Sequence, residues 1–225
     1  MKFLGQPHSQ LQIGRALQKL TALKSTGRIF FVKKSTDVDY KDAQNLLEPG
    51  SIYNTIQAAI NACTTALGDT VAVFPGDYTE ALTLSKNNVN IIGLGGTPRA
   101  VKIAGNASTA LTLTGDECSV ENVQFFNSGA AVVSISCTGV DGFSVKDCEF
   151  DTDLTSSAAI IASGADNKNI KIEKSMFTIA SAGARAVGAA GGAGNRALGC
   201  VCDGGSATET HAFNCNIDGA TKSAT

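Results

Sequence analysis

Val120-Glu-Asn-Val123-Gln-Phe125, Val145-Lys-Asp-Cys148-Glu-Phe150, Ile172-Glu-Lys-Ser175-Met-Phe177, Ala197-Leu-Gly-Cys200-Val-Cys202 and Ala212-Phe-Asn-Cys215-Asn-Ile217 are variants of one pattern, apolar-x-x-small-x-large apolar. Successive copies begin 25, 27, 25 and 15 residues apart. A second block with its own closing glycine precedes them: Ala110-LTLT-Gly115, Val133-SISCT-Gly139, Ala159-IIAS-Gly164 and Ala186-VGAA-Gly191. Two short alternating segments per period, punctuated by Gly, Asn and Asp, describe one rung of a solenoid. A repeat this short cannot bury its own apolar face, so equivalent residues of successive rungs must stack.

Residues two apart on a strand share a face. The pattern therefore predicts one inward column of Val123, Cys148, Ser175, Cys200 and Cys215, and a second of Phe125, Phe150, Phe177, Cys202 and Ile217. Such columns suit a narrow, dry interior, where each side chain packs on its equivalent at the strand spacing of about 4.8 Å. The expectation is an all-β chain: a single-stranded parallel β-helix of about seven rungs over residues 51–225.

Composition narrows the function. A net charge of −2 leaves no basic stripe for nucleic acid and no charged tail. No stretch approaches the roughly 20 apolar residues that span a bilayer, and MKFLGQPHSQLQ lacks the apolar region of a secretory signal. The reading is of a chain made in a cytoplasm and not sent to a membrane.

The seven cysteines, Cys63, Cys118, Cys137, Cys148, Cys200, Cys202 and Cys215, admit three readings. They are reduced thiols serving as small buried hydrophobes, or Cys200, Cys202 and Cys215 with His211 bind zinc, or stacked rungs carry a disulfide. Cys-x-Cys fits the usual zinc knuckle poorly, and no cofactor or metal is expected.

Ahead of the repeats, Ile56, Ala59, Ile60, Cys63 and Leu67 fall on one helical stripe. A helix over about 55–67 is expected to plug the solenoid's N-terminal end. Residues 1–50 form a leader: an amphipathic helix over about 9–24, with Ile13, Leu17, Leu20 and Leu23 on its apolar face, a strand over about 28–33, and a polar linker. A helix outside an already capped solenoid needs a surface to cover it. Ile13, Leu17, Leu20, Leu23, Phe30 and Phe31 are therefore the expected partner interface.

Thr55-Ile-Gln-Ala-Ala-Ile60, Gly68-Asp-Thr-Val71, Pro75-Gly-x-Tyr78-x-Glu80 and Val89-Asn-Ile-Ile-Gly93 resemble the start of the pectate-lyase-like, right-handed parallel β-helix superfamily, which includes pectin methylesterases. The resemblance implies right-handed winding. It is to the scaffold: Gln-Asp-Thr-Leu, Asp-Phe-x-Phe-Gly, Leu-Gly-Arg-Pro-Trp, Asn-Thr-Asp and Gly-His-Gly are all missing. No catalytic residue is assigned, and the chain is read as not an enzyme. Acids that a hydrolase or lyase would pair are available at Asp147, Glu149, Asp151 and Asp153, expected on one strand face where they would meet a cation or an oligosaccharide. Glu121, Lys146, Lys171 and Glu173 are expected on a solvated face. Gly183 to Gly194 lacks the Gly-Lys-Ser/Thr ending of a phosphate loop.

Phe30-Phe31-Val32, Tyr53-Asn-Thr-Ile56, Cys63, Gly68-Asp69 and Pro75-Gly76 also resemble small β-helix virion proteins of tailed bacteriophages. That resemblance implies a homotrimeric decoration or cement protein on the capsid exterior, attached through its N-terminal segment to the major capsid protein or another virion protein. The alternative is a polysaccharide lyase, esterase or hydrolase, or a carbohydrate-binding tail-spike-like module without catalysis. Under it a polysaccharide is the partner.

Overall fold

A computed structural model describes residues 27–48, 50–105, 108–127, 133–152, 158–163, 167–179, 185–189, 195–204, 213–217 and 220–224. Strands β1 (Ile29–Val32) and β2 (Ile52–Tyr53) come first, followed by triplets. The triplets are β3 (Thr70–Val73), β4 (Gly76–Thr79) and β5 (Leu82–Leu84); β6 (Asn90–Gly93), β7 (Val101–Ala104) and β8 (Leu111–Leu113); β9 (Ser119–Glu121), β10 (Gln124–Asn127) and β11 (Ile135–Thr138). They continue with β12 (Ser144–Lys146), β13 (Glu149–Thr152) and β14 (Ala158–Ser163); β15 (Lys171–Glu173), β16 (Met176–Ile179) and β17 (Arg185–Ala189); β18 (Arg196–Leu198), β19 (Val201–Gly204) and β20 (Phe213–Ile217). The last strand is β21 (Ala220–Ala224).

Each triplet is one coil, and its members join three ladders. The first ladder runs β2-β1-β3-β6-β9-β12-β15-β18, the second β4-β7-β10-β13-β16-β19, the third β5-β8-β11-β14-β17-β20-β21. Every pairing is parallel except β20 with β21. The chain is thus a parallel β-helix. Among the described residues the six triplets make about five full turns, slightly fewer than the roughly seven rungs expected from the repeat.

The expected block of two segments per period contains three strands, because its first half bends. Asn122, Asp147, Lys174 and Gly199 stand at the corner between first and second ladders with φ of 56, 49, 49 and 60°. Asn88, Glu117, Gly142 and Asn169 hold the corner entering the first ladder with φ of 55, 55, 80 and 53°. Asn and Asp tolerate this left-handed region best after glycine. Each corner amide reaches the coil above: Asn88, Glu117 and Gly142 donate to the carbonyls of Asp116, Asp141 and Lys168, and Asn122, Asp147 and Lys174 to those of Lys146, Glu173 and Leu198. At Gly93 a Cβ would lie 2.0 Å from the Asn122 carbonyl, so only glycine lets the coils close there. Glu117 is exposed and pays the left-handed penalty where the next coil has Gly142. Glu117→Gly is expected to stabilise the chain by about 0.5–1 kcal/mol, measured by urea unfolding.

The interior is built from columns. Tyr78, Ile103, Phe125, Phe150, Phe177 and Cys202 are in register along the second ladder. The rings of Phe125 and Phe150 stack at 5.2 Å and 13°, and those of Phe150 and Phe177 at 4.6 Å and 5°. The expected column ends there: Ile217 belongs to the third ladder, paired with β21 rather than with β19. The 15-residue interval is too short for a coil, so its strand occupies another side.

Small side chains after the corner close a second column. The thiols of Cys148 and Cys200 donate to the carbonyls two residues back, at Lys146 and Leu198, and to Val120 and Ile172 of the preceding coil. Ser175 fills the same place, its hydroxyl donating to the Glu173 carbonyl while accepting the Cys148 amide. Buried asparagines serve the corner before the first ladder: Asn167 and Asn195 accept the amides of Val140 and Ile170 at 2.9 Å each.

Five cysteines, Cys63, Cys118, Cys137, Cys148 and Cys200, are free thiols. Burial pushes Cys63, Cys137 and Cys148 up from 9.0 to about 12. Above pH 9 the unfolded chain releases thiol protons that the folded chain retains. Stability supplied by these groups is complete below pH 9 and is lost as pH rises towards 12. The urea midpoint is therefore expected to fall between pH 8 and pH 10.5, and to fall less in Cys137→Ala, which removes one such thiol.

The N-terminal part is integral to the solenoid. Strand β1 lies between β3 and β2, so the boundary expected at residue 50 does not separate a leader from the β-helix. The expected polar linker contains a helix, Tyr40–Leu46, that lays Ala43 and Leu47 over Phe31, Ala72, Phe74, Ile92 and Leu94 on the outer face of the first ladder. Lys33 is buried there, its ammonium 2.8 Å from Asp39, 3.4 Å from Asp37 and 5.0 Å from the Phe74 ring centre. The capping helix is shorter than expected, Ile56–Ala62. Ile56, Ala59 and Ile60 enter the core, whereas Leu67 lies beyond the helix and is 53% exposed.

Candidate functional site

The residues that carry the superfamily resemblance hold the cap in place. Glu80 accepts the amides of Ile56 and Gln57 at 3.0 Å each, and the Thr55 hydroxyl accepts Ala58 N–H at 3.2 Å. All three donors are among the amides that a helix N-terminus leaves unsatisfied. At the other end the Lys86 ammonium donates to the carbonyls of Asn61 and Cys63. The Gln57 amide pairs with both backbone groups of Thr83, accepting its N–H at 2.8 Å and donating to its carbonyl at 3.2 Å. That covers the edge of β5, as a sheet edge requires.

Asp69, fully buried, accepts the Arg28 and Thr64 amides at 2.7 Å each. The Tyr78 hydroxyl donates to the Phe74 carbonyl at 2.9 Å, and its burial raises its pKa. Asp69 and Tyr78 are buried and build structure.

Phe30 and Phe31 are also enclosed, at 6% and 7% exposure. Phe30 lies in the main core with its ring edge-on to Tyr53 at 5.9 Å, and Phe31 lies under the Tyr40–Leu46 helix 6.2 Å from Phe74. The strand alternates between two cores, one inside the solenoid and one outside it. This corrects their assignment to a partner surface. Ile13, Leu17, Leu20 and Leu23 lie outside the described residues.

Polar side chains converge on the outer face of the second ladder. Asp77, Lys102, Gln124 and Glu149 are in register on β4, β7, β10 and β13, and Phe126 is in register with Asp151. Arg99, from the turn Pro98–Ala100 before β7, crosses one coil to reach Glu149, its Nε 2.8 Å from both carboxylate oxygens. Gln124 Nε2 donates to the same carboxylate at 3.3 Å. Arg99 is 65% exposed and Glu149 only 7%, so the arginine roofs the acid. This hydrogen bond raises the guanidinium pKa further and keeps it charged.

Beside this pair the Lys102 ammonium sits 3.8 Å from the Phe126 ring centre. Of the acids expected on one face, Glu149 and Asp151 share it, Asp147 stands at the corner instead, and Asp153 lies outside the described residues. A carboxylate held by an arginine and covered by it reaches a bulky substrate only after the arginine moves.

Among the described residues no group of three or more side chains could hold a metal. The candidate zinc set is not brought together there: Cys200 donates its thiol to backbone carbonyls, while His211 and the side chains of Cys202 and Cys215 lie outside the described residues. No described helix is long and apolar enough to cross a membrane.

No family model and no curated protein matches the sequence. Similar solved structures include a pectin methylesterase in complex with a hexasaccharide, at 13% identity and TM-score 0.47, covering 80% of this chain and 67% of that one. Pectin methylesterase PemA from Erwinia chrysanthemi is similar at 12% identity and TM-score 0.45, covering 83% of this chain and 68% of that one. Geobacillus virus E2 ORF18 is similar at 15% identity and TM-score 0.44, covering 87% of this chain and 46% of that one. The likeness is one of fold. With enzymes among these structures, the reading of the chain as not an enzyme is withdrawn.

Proposed function

We propose that the chain is a structural virion protein of a tailed bacteriophage, a β-helix module held to the particle exterior by residues 1–26. The observation that supports this reading is the way the chain enters the solenoid. Strand β1 is locked between β2 and β3, and the Arg28 amide is clasped by buried Asp69. The chain that follows the proposed attachment segment is thus anchored in the solenoid from Arg28 onward. A loose tether would need none of these contacts.

The reading includes self-association into a homotrimer through that segment, and light scattering of the full chain tests it. The wild type is expected to form a trimer or larger assembly, and Leu17→Asp with Leu20→Asp to disperse it while circular dichroism stays unchanged. A monomeric wild type sinks the proposal.

A second reading is favoured by the outer face of the second ladder. Three carboxylates, a carboxamide, two cations and a ring there are groups that contact polysaccharide hydroxyls. Glycan-array binding lost in Phe126→Ala would support it, and an unchanged pattern would dismiss it.

A further inference from the structure

The outer face of the first ladder changes character along its length. Its first strands are covered by the Tyr40–Leu46 helix. In the middle, Lys146 lies 3.1 Å from Glu121, a neutralising pair in register. That column continues with Glu173 and ends at Leu198, whereas the neighbouring column, which carries Ser119 and Ser144, ends in two cations. Lys171 and Arg196 are directly in register on β15 and β18, and both are exposed. Lys168 and Lys174, also exposed, flank them, and Leu198 beside them is 48% exposed. Among the described residues Glu173 lies 2.9 Å from Lys171, and Asp141 of the preceding coil is in register with Lys168, which leaves Arg196 with no carboxylate partner in register.

Like charges on neighbouring strands about 4.8 Å apart repel. Lys171 has Glu173 beside it on its own strand, but the in-register position that Glu121 fills for Lys146 is filled here by a second cation, Arg196. Four cations around one exposed leucine, on a chain of net charge −2, are complementary to an anionic partner.

We infer that this end of the first ladder binds an acidic protein surface, with Leu198 as the apolar contact and Lys171, Arg196 and Lys174 pairing with carboxylates. An extended polyanion fits less well. Running down the ladder it would meet Asp141, Asp147, Asp116 and Glu117, of which Glu117 is exposed, whereas nucleic acid demands a continuous basic track. A partner of patch size meets four cations and Glu173. This inference is independent of the attachment role proposed for residues 1–26.

The test uses the full chain and a synthetic peptide of alternating glutamate and leucine, followed by fluorescence anisotropy at low and high salt. Saturable binding is expected, weakened by salt, and weakened about tenfold or more by Lys171→Glu with Arg196→Glu, which converts two ion pairs into repulsions. Arg196→Glu alone is also expected to raise the melting temperature of the unliganded chain, because it faces Lys171 with an opposite charge. If the double variant loses its circular dichroism signal, Lys171→Gln with Arg196→Gln replaces it, with weaker binding again expected. Binding that is absent in the wild type, or equal in the variants, overturns the inference. Tighter binding to a duplex DNA oligonucleotide than to the peptide overturns it as well.

Discussion

Phe150→Ala is expected to destabilise the chain by about 3–5 kcal/mol, the range for removing a buried aromatic ring from a core. Phe150 is completely buried and is the middle member of its stack, 5.2 Å from one ring and 4.6 Å from the next. The strands above and below it are fixed by their own hydrogen bonds and cannot collapse into the space. Phe150→Leu keeps most of the apolar volume and should cost less than half as much. The midpoint of urea unfolding measures both. Equal losses for Leu and Ala would mean that ring stacking, and not filling, holds the column.

Asp69→Ala is expected to cost about 3 kcal/mol or more, from hydrogen bonds to a charged group that leave buried donors without acceptors. Its carboxylate accepts the Arg28 and Thr64 amides and lies 3.4 Å from the Arg28 guanidinium. It ties the incoming strand to the end of the capping helix. The damage should therefore concentrate there: amide exchange at β1 and in the Ile56–Ala62 helix should accelerate far more than in β9 to β13. Uniform acceleration along the solenoid would refute this local role. Asp69→Asn retains one acceptor and is expected to lose less.

The parts of the fold visible in the sequence were those that recur. Phe125, Phe150 and Phe177 occupy the same place in successive repeats and stack as their spacing predicts. The corner within each repeat was hidden because its left-handed position is filled by Asn122, Asp147, Lys174 and Gly199, which share a backbone angle and no side-chain chemistry. The Tyr40–Leu46 helix gives the core only two described residues, Ala43 and Leu47, too few to make a period. Asp218-Gly219, between β20 and β21, is a strong hairpin signal. Together with the 15-residue interval it announces the antiparallel ending that the repeat pattern obscured.

The candidate site was less legible than the fold. Glu149 and Asp151 were singled out as acids on a strand, but Arg99 lies 50 residues before Glu149, and no local pattern connects them. Lys171 lies on the solvated face that its alternation predicts, and its in-register neighbour Arg196 becomes apparent only when the coils are aligned. Phe30 and Phe31 looked available because a strand buried on both sides reads like a strand with a sticky face.

The corners also set how this molecule can change in size. The Glu117 amide donates a hydrogen bond to the Asp141 carbonyl and the Gly142 amide donates one to the Lys168 carbonyl, so each coil gives upward what it accepts from below. A duplicated or deleted coil meets the same set of donors and acceptors at both cut surfaces. Length can therefore vary in whole coils while both ends stay intact, and the distance between β1 and the Lys171–Arg196 pair becomes adjustable in fixed steps of one strand spacing.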